Sequence, residues 1–177
     1  MFEEYLRDAA DFLQIAKSAS DSGNDTKAKS YYRACVFCAS SAMEAFVNYI
    51  ADSFSKAKSL EPHELAYLND KQLFFAPSKG LSEKTEYHPV DGKLRVLLAR
   101  FSPTFDFSAP MWDQFMQLKN LRDSLVHPRT PEDDTPITTY AGEVPRGLTA
   151  TITLMDEVSR AVFQSPLRKQ LLDLTPE

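Results

Sequence analysis

The sequence predicts an all-α protein: an up-and-down helical bundle with two long core helices, extra short helices and a long loop near residues 130–147. Three observations carry this expectation. Apolar residues recur at steps of three and four through most long segments, the signature of helices with one buried face. Glycine is scarce, at 5 of 177 residues, which argues against a hairpin-rich β fold. Hydrophobic content of 43% and charged content of 25% are ordinary for a globular chain, and 177 residues suit one domain with a real core, residues 1–177.

The first helix is carried by Phe2, Tyr5, Leu6, Ala9, Phe12, Leu13 and Ala16. It stops at residues 20–24, Ser-Asp-Ser-Gly-Asn, where turn formers gather. Asp25 reads as the N-cap of a long second helix over about residues 26–55. Its middle, from Tyr31 to Ile50, is apolar nearly all round, as expected of a central helix surrounded by protein. One stripe breaks that pattern. Ser41, Glu44 and Asn48 share a helical face, and a carboxylate in such a setting is costly unless paired.

Residues 56–89 are less regular, with a short helix within Glu61 to Leu73 and a long connection marked by Pro77, Gly80 and Pro89. Asp91 to Phe101 reads as another short helix. Ser108 or Ala109, followed by Pro110, opens the next one, because proline is welcome in a first helical turn. That helix should run from about Met111 to Val126, since His127 precedes Pro128 and is pushed out of α geometry. Thr130 to Arg146 is rich in Pro, Thr, Asp and Glu and reads as a loop with one extended piece at Ile137 to Tyr140. Gly147 to Phe163 is a last helix, and Pro166 leaves the tail to fold back as one more turn.

Net charge is −5, whereas broad neutralisation of phosphates needs a basic protein. Any nucleic-acid contact must be local or built by assembly. No apolar run is read as long enough to span a bilayer, and the acidic, amphipathic N-terminus does not read as a secretory signal. Cys35 and Cys38 sit in an apolar stretch. The expectation is a cytoplasmic protein with reduced thiols and no membrane association. Cys35-Val36-Phe37-Cys38 matches Cys-x-x-Cys, but it lies mid-helix with no second pair, so small core residues are the better reading and no metal is expected. His63 and His88 read as surface residues. Neither a Gly-rich phosphate loop nor a Gly-x-Ser-x-Gly elbow occurs, no repeated Glu-x-x-His pairs occur, and no cofactor is implied.

What remains is the helix end from Leu118 to Pro128. Arg122 and His127 lie there with four residues between them. That spacing alone would occur roughly 0.4 to 0.5 times by chance in such a chain. Context gives it weight: cations suit a helix C-terminus, and the upstream polar stripe offers a partner.

Leu121-Arg122-Asp123-Ser124-Leu125-Val126-His127-Pro128 resembles the Arg-x(4–6)-His motif of the HEPN superfamily, including the polar residue after the arginine. The stretch from Ala39 to Ile50 is similar to that family's other long helix. The resemblance covers the two core helices, under half of the chain. It implies a HEPN-like fold and metal-independent RNA cleavage, often by toxins or defence proteins that act as homodimers. By this resemblance His127 would deprotonate or position the ribose 2′-OH and Arg122 would stabilise charge on the phosphate. The products would be a 2′,3′-cyclic phosphate and a 5′-OH end. The residue types suit the chemistry: imidazole accepts protons near neutral pH, and guanidinium forks onto phosphate oxygens. Asp123, four residues before His127, could orient the imidazole if the helix persists. Glu44 and Asn48 could support Arg122, and Lys119 and Arg129 could hold RNA.

Five residues along an ideal helix turn through about 140°. Arg122 and His127 therefore share a face only if the helix end unwinds, for which Pro128 gives a reason, or the site is shared across the two-fold of a homodimer. Some HEPN toxins paired with a nucleotidyltransferase antitoxin carry a tyrosine two positions after the histidine. Arg129 stands there in this chain, so that pairing is not supported, although a neutralising partner protein of another kind fits the resemblance. Bland readings stand beside these. Arg122 and His127 can be a helix-capping pair with a surface salt bridge to Asp123, and Glu44 with Asn48 a polar pair fixing helix packing. A catalytically inactive HEPN-type module that binds a protein or RNA partner is the alternative function.

Overall fold

The computed structural model describes residues 1–57, 60–128 and 134–176. Within them the chain is an all-α bundle with a single two-stranded sheet. Helix α1 (Phe2–Asp21) buries Leu6, Ala9, Leu13 and Ala16, spaced as the periodicity predicts, against α2 (Asp25–Ala57). The turn between them passes through Gly23 at φ +74°, a conformation glycine adopts without steric cost. Asn24, rather than Asp25, caps α2: its Oδ1 accepts the Lys27 amide at 3.1 Å.

Helix α2 is the centre of the bundle. It touches α1, α3 (Pro62–Leu68), α4 (Val90–Phe101), α5 (Pro110–Val126) and α6 (Ile137–Phe163). Two expectations about it need correction. By length and composition it could cross a bilayer, and half of its apolar window is buried in the bundle. Nor is it enclosed on every side, because Phe37, Glu44, Asn48 and Tyr49 all reach solvent. Glu44 therefore escapes most of the desolvation cost that a buried carboxylate would meet.

The less regular region expected over residues 56–89, with its long connection marked by Pro77, Gly80 and Pro89, contains a β-hairpin. Strand β1 (Lys71–Ala76) pairs antiparallel with β2 (Gly80–Thr85), with Ala76 opposite Gly80 and Phe75 opposite Leu81. The Lys79 amide closes the turn on the Ala76 carbonyl at 3.0 Å, and Gly80 follows at φ +73°. This is the three-residue hairpin connection in which a left-handed residue restores the strand twist. The short helix expected within Glu61 to Leu73 is α3, which ends at Leu68.

The predicted loop near 130–147 is only partly a loop. Residues 129–133 lie outside the described residues, and the expected extended piece at Ile137 to Tyr140 is the first turn of α6. Tyr140, Val144, Leu148 and Thr151 recur at steps of four and three and are buried, and the Tyr140 ring stacks on Tyr32 with centroids 6.1 Å apart. That burial outweighs Pro145, which lacks a helical donor. Arg146 Nε donates to the Gly142 carbonyl at 2.7 Å, next to the carbonyl that Pro145 leaves without its helical partner. Further along, a Cβ at Gly147 would come within 2.7 Å of Leu118 Cβ. Glycine there lets α6 seat closely on α5, the helix that carries Arg122. The chain ends in the short helix α7 (Lys169–Leu172), the expected extra turn.

Candidate functional site

Helix α5 starts at Pro110 after Ala109 and ends at Val126. His127 caps it with φ −122° and ψ 63°, while its amide still donates to the Asp123 carbonyl at 2.9 Å. The chain thus leaves helical geometry at the residue before Pro128, where proline's ring disfavours it. Arg122 lies within the helix and His127 at its cap. Both line one open cleft of about 250 Å³ within a single chain.

The cleft is built from four elements, with Thr151 of α6 also in its lining. Ser40, Met43 and Glu44 come from α2, and Lys119, Arg122 and Asp123 from α5. Tyr87, Pro89 and Val90 come from the segment that leaves the hairpin and enters α4. His127 is exposed at its edge. Asn48 lines a smaller hollow of about 70 Å³ that shares Glu44, Tyr87 and Val90 with the cleft. Ser40, one residue before the expected Ser41, is the α2 hydroxyl in the cleft. Arg129 falls outside the described residues.

The charged groups of the cleft are paired with one another. Asp123 accepts from Lys119 Nζ at 2.9 Å through one oxygen and from Arg122 Nη1 at 3.1 Å through the other. Its carboxylate is therefore engaged by two cations, and its recorded link to His127 is the backbone bond. Burial alone would raise the Asp123 pKa, but the bonds from Lys119 and Arg122 outweigh it and hold the group below its ordinary value. The same bond, donated by Lys119 to Asp123, is the chief reason the Lys119 pKa is raised. Arg122 Nη2 lies 3.7 Å from Glu44 Oε1, and Lys119 Nζ lies 3.6 Å from Asp91 Oδ1. Two cations thus meet three carboxylates.

Beside the cleft stands a cluster that the sequence did not point to. Asp70, at φ +56°, accepts the Glu86 amide on its carbonyl at 2.9 Å and the His88 amide on Oδ1 at 2.8 Å. Its Oδ2 accepts from Lys93 Nζ at 2.7 Å, and Lys93 is buried. His88, expected at the surface, is half-buried and stacks on Tyr67 with ring centroids 3.8 Å apart. Asp70 therefore pins the chain on both sides of Tyr87. No periodicity could have revealed this, because the partners lie 16 to 23 residues apart and meet only through the hairpin. Cys35 is in the core and Cys38 half-buried, and burial pushes both thiols up. Among the described residues no three His, Cys, Asp or Glu side chains converge to hold a metal ion.

No family model, curated protein or solved structure matches this chain.

Proposed function

We propose that this protein is a HEPN-type endoribonuclease that cleaves RNA without a metal ion, with Arg122 and His127 as its catalytic pair. The observation that supports this most is that both residues line one cleft of a single chain. In this reading His127 takes the proton from a ribose 2′-OH, and that oxygen attacks the adjacent phosphorus. Arg122 forks onto the non-bridging oxygens as charge grows there. The P–O5′ bond breaks, the leaving oxygen takes a proton from water at the open face, and a 2′,3′-cyclic phosphate remains. Lys119 adds a second cation beside the phosphate. Homodimerisation, a cytoplasmic location and a neutralising partner protein belong to the same proposal.

The test is cleavage of several purified RNA classes in EDTA by wild type, His127→Ala and Arg122→Ala. Removing a general base costs about 10²- to 10⁴-fold in rate. A wild type that leaves every RNA class intact, with any partner protein removed, would sink the enzyme reading. His127→Ala cleaving as well as wild type would sink the assignment of the base.

A second reading is favoured by one observation: three carboxylates already surround the two cations of the cleft. Those pairings oppose an incoming phosphate and suit a catalytically inactive helical module that binds a partner. Arg122-dependent binding without cleavage in the same assays would select it.

A further inference from the structure

Among the described residues, Tyr87 is the one large aromatic ring that lines the cleft while standing mostly in solvent, 72% exposed. A lone exposed aromatic is common on protein surfaces and needs no explanation by itself. Three observations set this one apart. First, together with Glu44 and Val90, it lines both of the adjoining hollows, and it is the exposed aromatic ring among these three. Second, its backbone is held while its ring is open. The amides of Glu86 and His88, on either side of it, are both bound by Asp70, Asp70 is anchored on buried Lys93, and Pro89 follows at the N-cap of α4. A rigid, amphipathic ring on a fixed backbone loses little entropy when it binds. Third, the guanidinium of Arg122 and the ammonium of Lys119 share the cleft with it, next to the apolar flank of Pro89 and Val90.

An aromatic face beside cations that can hold phosphate is how proteins bind unpaired nucleotides. A cleft of about 250 Å³ is small even for a drug-sized ligand, so it suits a single nucleotide rather than a duplex. We propose that Tyr87 is the stacking platform for a nucleobase of single-stranded RNA whose phosphate sits at Arg122. This rests on the ribonuclease reading and adds to it that the substrate is unpaired and is gripped by a base as well as by its backbone. Stacking tolerates any base, because every base has a π face, and purines should bind best.

The inference is tested by fluorescence anisotropy with labelled 2′-O-methyl oligoribonucleotides, whose blocked 2′ oxygen separates binding from cleavage. The probes are an adenine 12-mer and an abasic 12-mer of the same backbone. Wild type and Tyr87→Phe should bind the adenine probe about tenfold more tightly than the abasic one. Tyr87→Ala should bind both at the abasic level. The side chain is exposed, so an unchanged circular dichroism spectrum and melting temperature are expected for both variants. The proposal is overturned if wild type does not distinguish the probes, if Tyr87→Ala distinguishes them as wild type does, or if Tyr87→Phe loses the preference. His127-dependent cleavage with no role for Tyr87 would remove this inference alone. A base preference lost in Tyr87→Ala, in a protein that cleaves nothing, would remove the ribonuclease reading and leave stacking in place.

Discussion

Two polar clusters flank Tyr87, and each is organised by one aspartate that accepts from a lysine and one further donor. Around Asp70 the lysine is buried and the other donor is the His88 amide. Around Asp123 the lysine and arginine are both partly exposed and face an open cleft. The first arrangement lines the smaller hollow of about 70 Å³, and it holds the chain that leaves the hairpin. The second leaves its donors within reach of an outside group. The contrast between the clusters rests on the lysine, which is buried beside Asp70 and partly exposed beside Asp123.

Substitution should separate the two clusters. The largest effect is expected for Arg122→Ala, which under the proposed mechanism lowers RNA cleavage by at least about 100-fold, the usual cost of losing a charge-stabilising donor. Its melting temperature should barely move, because the pairs it breaks are partly exposed. Unfolding of Arg122→Ala would make this cluster structural as well, and the contrast would collapse. Next in size is Asp70→Ala. It leaves Lys93 buried without its partner and should cost about 2 kcal/mol in urea unfolding, whereas Asp123→Ala should cost less than about 1 kcal/mol. Equal costs would show that burial of the lysine does not distinguish the clusters.

How far each feature was legible in the sequence follows the same division between local and long-range order. Helices α1, α4 and α5 could be read from apolar spacing because each buries one stripe. Arg122 and His127 drew attention through a resemblance and a local signal, a helix end before a proline, and both line one cleft. The hairpin could not, since Phe74, Phe75 and Leu81 are exposed and its strands show no clean alternation. What defines it is the turn at Pro77 to Gly80, and that signal was read only as a break. The first half of α6 carried a legible pattern in Tyr140, Val144 and Leu148. Pro145 and the surrounding polar composition hid it, because tertiary burial outweighs local propensity there. Tyr87 gains meaning only when Asp70, His88 and Lys93 meet, which no window of sequence contains.

The smallest effects expected are those of pH. Burial works to raise Asp70, but the Lys93 bond, the His88 amide and their charges outweigh it, so its folded pKa lies below the ordinary value, as does that of Asp123. A carboxylate depressed in the folded state binds fewer protons there than in the unfolded chain. Its contribution is present above the unfolded value of about 3.9 and is lost as pH falls through the lower folded value. Stability should therefore decline below about pH 4, and Asp70→Asn and Asp123→Asn should each flatten that decline. More than a third of the Asp123 carboxylate and about as much of Asp70 are exposed, so solvent screening keeps each contribution under about 1 kcal/mol. Lys119 works at the other end. Its raised pKa makes its contribution complete below about 10.4 and lost as pH rises through the folded value. Lys119→Met should flatten an alkaline loss of stability above about pH 10 while leaving the acid limb tied to Asp70 unchanged. Urea unfolding across both limbs measures this, and a Lys119→Met protein whose alkaline limb matches wild type would show that the Lys119–Asp123 bond contributes nothing to the folded state.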